Sequence, residues 1–146
     1  MADHCVQGSK GAEFHDELHV SGLVSSASAI IRKGMSPNVD SYSAFYENDK
    51  KTPTGLSGLL KDLGVTQVFF VGLAYDFCVG YSALDAVQEG FDAIVVKDLT
   101  RAIGMPLKQG TTVDAIEEQF ASRSVVLVNS VDLGLQPSSR PSTSLR

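Results

Sequence analysis

The chain has only two cysteines, Cys5 and Cys78, and three histidines in 146 residues. Two cysteines cannot build a disulfide scaffold, and they fit a reducing compartment in which a thiol stays free. The cytoplasm is the expected location. Positive charge is also short: 12 Lys and Arg stand against 17 Asp and Glu, a net charge of -5, and the basic residues are scattered. That balance argues against a polyanion-binding surface, so no nucleic-acid partner is expected. No apolar run approaches the length of a membrane span. The first residues, Met-Ala-Asp-His-Cys-Val-Gln-Gly, carry neither a basic start nor a hydrophobic stretch, so neither a membrane partner nor export is expected. Internal repeats are absent. What remains is ordinary, 43% hydrophobic and 20% charged, in a chain long enough for one domain with a sizeable core. The expected domain spans residues 1–135, and residues 136–146 have the Pro/Ser composition of a disordered tail.

The patterning alternates. Ser26 to Arg32 reads as a strand ending at Lys33-Gly34, followed by a polar, turn-rich segment as far as Pro53. Leu56, Leu59, Leu60 and Leu63 mark a helix that Thr54 can cap. The β-branched and aromatic run Gln67 to Val71 predicts a strand, Cys78 to Glu89 a helix, and Asp92 to Val96 a second strand after Gly90. Val113, Ile116 and Phe120 place a helix over Val113 to Ala121, and Ser124 to Val128 is a last short strand. This order predicts an α/β fold in three layers, a parallel sheet with helices on both faces. Ligands of such a sheet sit at the carboxyl ends of its strands.

One of those ends carries Cys78. The stretch Val68-Phe69-Phe70-Val71-Gly72-Leu73-Ala74-Tyr75-Asp76-Phe77-Cys78-Val79 delivers the cysteine from a strand onto the start of a helix. Helix N-termini carry partial positive charge and N–H groups without intrahelical partners, which favour a thiolate and can hold an oxyanion. Cys78 is therefore a candidate nucleophile; a buried structural cysteine is the alternative. Two other stretches are expected near it, Asp3-His4-Cys5-Val6-Gln7-Gly8 and Lys33 with Asp40-Ser41-Tyr42-Ser43-Ala44-Phe45. A lysine ammonium beside a thiol favours the thiolate by charge attraction; otherwise Lys33 is a solvated strand-end lysine.

Together the three stretches resemble the nicotinamidase branch of the isochorismatase-like cysteine hydrolases. The matches are His-Cys-Val-Gln-Gly, Lys-Gly-x-x-Pro-x-Val-Asp-Ser-Tyr-Ser-Ala-Phe and Gly-Leu-Ala-x-Asp-x-Cys-Val, and the resemblance covers nearly all the chain except the tail. It implies the isochorismatase-like hydrolase fold and hydrolysis of nicotinamide to nicotinate and ammonia through a cysteine thioester, in NAD salvage. Catalytic roles fall on Cys78 and Lys33, and the oxyanion hole on the backbone N–H groups of Ala74 and Cys78, with a cis peptide at Leu73-Ala74. Tyr42 and Phe77 match positions whose rings flank the substrate, although either ring could equally belong to the core. His4 matches one ligand of a divalent metal, expected to be zinc. His15-Asp16-Glu17-Leu18-His19 invites comparison with His-Glu-x-x-His but fails at its second residue.

Asp98 and Arg101 resemble a family Asp-x-x-Arg and read as structural, the aspartate capping the following turn and the arginine bridging carboxylates. Asp76 reads as fixing the turn before Cys78, and Asp85, two helical turns on, as too distant to serve as a base. The family's first strand, which carries a catalytic aspartate, its further metal ligands and a tryptophan before the histidine have no counterpart in this sequence. The chain thus reads as a form shortened at its N-terminus. Two other readings accompany the hydrolase: a non-catalytic form that associates with a full-length subunit or with itself through its exposed sheet, and a sister hydrolase acting on isochorismate or another small amide.

Overall fold

A computed structural model describes residues 5–18 and 29–135. The chain divides into two compact units, Met1–Ile30 and Ile31–Arg146. In the first, short 3-10 turns run over Lys10–Ala12 and Asp16–Leu18, with no buried residue in either. His4, His19 and the tail from 136 lie outside the described residues.

The second unit holds helices α1 (Leu56–Asp62), α2 (Gly80–Gln88) and α3 (Thr112–Ser122) and strands β1 (Gln67–Leu73), β2 (Asp92–Arg101) and β3 (Val126–Val128). All strand pairs are parallel, in the order β1-β2-β3. Each strand faces its partner apolar to apolar, Phe69 beside Ile94, Phe70 beside Val95, and Ile94 beside Val126. Alternation decides which face is buried. Ala93 and Val95 join Ala83, Leu84 and Ala86 of α2 and Ile116 and Phe120 of α3 in one core, with Phe45, Tyr75, Val79, Phe91 and Val125. On α3 the buried Ile116 and Phe120 stand four residues apart on one stripe, whereas α2 is buried at Gly80 and continuously from Ser82 to Ala86 and is enclosed on more than one side. The alternate residues of β1 point the other way: Phe69, Val71 and Leu73 are 46%, 56% and 72% exposed.

Several elements differ from the sequence reading. The expected strand over Ser26 to Arg32 falls partly outside the described residues, and its described part, 29–32, joins no ladder. A strand is defined by a partner, and an apolar stretch without one remains irregular. β1 runs two residues beyond Val71, and β2 runs five beyond Val96. The extra length of β2 lies past a register shift, after which Gly72 and Leu73 pair with Thr100 and Arg101. Lys97, Asp98 and Leu99 occupy this irregular stretch, and their polarity hides its continuation. Thr54 stands one position before the true cap of α1, Gly55, whose φ of 93° suits glycine; the Thr54 hydroxyl still accepts the Leu56 N–H at 3.2 Å. At α3 a reciprocal capping box joins Thr111 and Asp114.

Glu89, just past α2, gathers three donors: the Tyr46 hydroxyl at 2.6 Å, the Lys61 ammonium at 2.8 Å and the Ser57 hydroxyl. The Lys61 contact, followed by those of Ser57 and Tyr46, holds its carboxyl down at about 2, against an ordinary 4.5. Because the folded value is depressed, this stabilisation is present above pH 4.5 and is lost as pH falls through about 2. Urea denaturation between pH 5 and pH 2.5 should show that loss, about 2 kcal/mol. Glu89→Gln should remove that part of the pH dependence.

Candidate active site

The residues between β1 and α2 do not open as the sequence suggests. Cys78 is not the first residue of an α-helix; it is the fourth of a π-helical turn, Tyr75–Val79, which continues into α2 at Gly80. The wide turn is held from within, Phe77 and Val79 both donating their N–H to the Ala74 carbonyl at 3.1 and 3.0 Å. Such turns give no periodicity signal in five residues, although they concentrate at functional sites. Gly80 fits where nothing larger would, since a Cβ there would lie 2.6 Å from Ile116 and 2.7 Å from the Tyr75 carbonyl. The peptide bond between Leu73 and Ala74 is cis.

Two side chains anchor this turn to the remainder of the unit. Tyr75, 3% exposed, donates its hydroxyl to Glu117 of α3 at 2.8 Å and sets its ring edge-on to Phe120. Burial, reinforced by Glu117, pushes the phenol's pKa upward. Asp76, also 3% exposed, accepts the backbone N–H groups of Ile103 and Gly104 at 2.9 and 2.8 Å and the Thr112 hydroxyl. Burial alone would raise its carboxyl, but the Thr112 hydroxyl and those two amides outweigh it and hold the group below its ordinary value. Asp76 thus ties the Cys78 turn to the loop before α3, in keeping with its reading as a turn-fixing residue. Asp85 is 4% exposed and takes the Lys50 ammonium on both oxygens at 2.7 Å, which commits it to an ion pair.

Lys33 and Cys78, 45 residues apart, meet: the Lys33 Nζ donates to the Cys78 Sγ at 3.5 Å and to the Ser41 carbonyl at 2.5 Å. Both residues are half-buried. Ser82, on α2 and 4% exposed, completes the junction by donating to the Cys78 carbonyl at 2.6 Å and accepting the Ala44 N–H at 2.8 Å. Sequence reading missed it, because a serine on the buried face of a helix gives no signal until its partner from another element is known.

An aromatic group stands beside the pair. Tyr42 contacts Phe77 edge-on, with ring centroids 5.5 Å apart, and Tyr81 at the same centroid distance with a tilt of 39°. Tyr42 and Phe77 are half-buried, as is Tyr81, a third ring contributed by α2. Ala74, the other residue of the expected oxyanion hole, directly precedes the π-helical turn and is also half-buried.

Asp98 and Arg101 take roles other than those expected. Asp98 accepts the Ser130 N–H at 2.8 Å and the Ser130 hydroxyl at 2.5 Å, so it holds a 3-10 turn 32 residues on rather than the turn that follows it. Those bonds, the hydroxyl's first, hold its carboxyl below the ordinary value. Arg101 donates to the carbonyls of Asp98 and Thr100, not to carboxylates across loops. The irregular strand turns its guanidinium back on its own backbone.

Among the described residues, no group of three or more His, Cys, Asp or Glu is placed to hold a metal ion. His4 falls outside those residues, and His15 accepts the Glu17 N–H at 3.3 Å. The residues described here do not by themselves fit a zinc site, which needs about three protein ligands. Among them, no helix is long and apolar enough to cross a membrane.

Cys78 thus lies under a lysine ammonium, past the carboxyl end of a parallel strand and next to the edge-on and tilted aromatic rings, a placement open to nucleophilic chemistry. The sequence carries the isochorismatase domain over residues 1–123, and the chain belongs to that family. It is 45% identical over 119 residues to the nicotinamidase of Acinetobacter baylyi, covering 82% of this chain and 52% of the relative. Among solved structures it is similar to a nicotinamidase and pyrazinamidase of Acinetobacter baumanii, at 41% identity and a TM-score of 0.79, over 90% of this chain and 59% of that one. It is also similar to PnC1 of L. infantum in complex with nicotinate, at 41% identity and a TM-score of 0.76, over 88% and 60%. A pyrazinamidase of Pyrococcus horikoshii in complex with zinc aligns at 28% identity and a TM-score of 0.64, over 87% and 62%. The fold is therefore the isochorismatase-like α/β fold. The chain spans about half the length of the curated nicotinamidases of Acinetobacter baylyi and Escherichia coli that it matches, 52% and 46%.

Proposed function

We propose that the chain carries the nucleophilic half of a nicotinamidase site and acts on the carboxamide of nicotinamide. The observation that carries this reading is the Lys33 ammonium at 3.5 Å from the Cys78 sulfur, beside the rings of Tyr42 and Phe77. Nicotinamidase relatives supply the substrate class.

The chemistry follows from the pair. Cys78 and Lys33 share one proton, and with it on the lysine the sulfur is a thiolate. The sulfur attacks the carboxamide carbon and forms an S–C bond, and the negative charge on oxygen is met by the N–H groups of Ala74 and Cys78. The C–N bond then breaks, the departing nitrogen takes the proton held by Lys33, and ammonia leaves a nicotinoyl thioester. Water adds to that thioester, giving one proton back to Lys33, and the Cys78 thiolate is expelled with nicotinic acid, which keeps the second water proton and loses it to solvent to become nicotinate. Tyr42 and Phe77 present ring surfaces suited to a flat pyridine. In a cytoplasmic setting the product feeds NAD salvage.

Ammonia release from nicotinamide by the purified chain, set against Cys78→Ala, tests the reading. Release that disappears in the variant supports it. Folded protein with no Cys78-dependent release would leave the association reading, which the exposed Phe69, Val71 and Leu73 of β1 favour. Faster turnover of isochorismate than of nicotinamide would point to a sister hydrolase.

A further inference from the structure

Lys33 can act on Cys78 only if its own turn is held, and the structure shows what grips it. Gly34 follows Lys33 with a φ of 66°, a left-handed conformation suited to glycine. The side-chain Oε1 of Glu47 accepts the Gly34 N–H at 3.2 Å and the Met35 N–H at 3.5 Å. Glu47 is 5% exposed, and its second oxygen, Oε2, has no hydrogen-bond partner among the described residues. Burying a carboxylate with one oxygen unpaired is costly, and a fold tolerates such a group where it performs a task.

Shaping its own hairpin is not that task. The segment is closed by the antiparallel bridge of Tyr46 with Pro53 and by the Glu47 backbone N–H on the Thr52 carbonyl at 3.0 Å. The Asp49 carboxylate takes the Lys51 and Thr52 amides at 2.8 and 2.9 Å. None of these uses the Glu47 side chain, whose hydrogen bonds go to the two residues that follow Lys33.

We infer that Glu47 is a positioning residue, holding the Lys33 turn so that the Lys33 ammonium stays at the Cys78 sulfur. The inference rests on the reading of Lys33 and Cys78 as the reactive pair, yet it is tested without turnover. In a Cys5→Ser background, which leaves Cys78 as the one thiol, the rate of alkylation by iodoacetamide at pH 7 reports how strongly Cys78 is activated. Glu47→Ala should slow alkylation about fivefold to tenfold, approaching the loss in Lys33→Met. Combined with Lys33→Met it should add nothing. Glu47→Gln keeps a carbonyl acceptor for the two amides and should stay within about twofold of the parent rate. If Glu47→Ala does not fold, Glu47→Asp, one methylene short of its partners, should show the slowing. A merely structural role would loosen the fold and leave alkylation unchanged or faster. That result, or equal slowing by Gln and Ala, overturns the inference. Should the chain release no ammonia while Cys78 reactivity still depends on Lys33 and Glu47, the proposed function fails and this inference stands.

Discussion

Lys33→Met is expected to slow alkylation of Cys78 at pH 7 by about tenfold and to lower Cys78-dependent nicotinamide hydrolysis by about two to four orders of magnitude. The two effects have one origin. At about 4 Å two unit charges attract by roughly 4 kcal/mol at an effective dielectric of 20, so an ammonium 3.5 Å from the sulfur attracts negative charge on that sulfur as it attacks. Both groups are half-buried, and water reduces the attraction, which is why the alkylation effect is set near tenfold. Hydrolysis should lose more, because in the proposed mechanism the lysine also hands a proton to the departing nitrogen. Lys33→Arg separates the contributions: it keeps a positive charge but gives up protons poorly, so it should restore alkylation better than hydrolysis. Alkylation of Lys33→Met at the parent rate would show that the lysine does not activate the sulfur.

Asp76→Ala is expected to destabilise the fold by about 3 kcal/mol, a fall in Tm of roughly 10 °C. The substitution leaves the amides of Ile103 and Gly104 and the Thr112 hydroxyl without their shared acceptor at a site only 3% exposed. Asp76→Asn, which retains one acceptor oxygen, should lose about half as much. The sign with pH follows from the depressed carboxyl. The folded protein binds the Asp76 proton less readily than the unfolded chain, so this stabilisation is full above the ordinary carboxylate value and fades as pH falls through the lower folded one. The parent should therefore lose stability on acidification faster than Asp76→Ala. Thermal melts at pH 7 and pH 3.5 check both the size and the slope.

The sequence carried much of this arrangement because much of it is local. The run Gln67 to Val71 is β-branched and aromatic and forms most of β1; the spacing of Val113, Ile116 and Phe120 marks α3, which buries Ile116 and Phe120. Asp76 could be read as fixing a turn from its place between strand and helix. That its partners are Ile103, Gly104 and Thr112 could not be read, since they lie 27 to 36 residues away. Ser82 and Glu47 were invisible for the same reason: each acts through backbone amides of another segment, and amides leave no mark in a sequence. The π-helical turn that holds Cys78 and the continuation of β2 through Lys97 to Arg101 were misread because both break the periodicities on which the reading depends.

The account stands or falls on Cys78 becoming acylated. Folded protein mixed with nicotinamide carrying labelled carbonyl carbon, quenched in acid within seconds and digested, reports where that carbon resides. The account predicts label on the peptide containing Cys78, lost on treatment with hydroxylamine as a thioester should be, and absent from Cys78→Ala. Labelled nicotinate formed at the parent rate by Cys78→Ala, with no label on the Cys78 peptide of the parent, would contradict it.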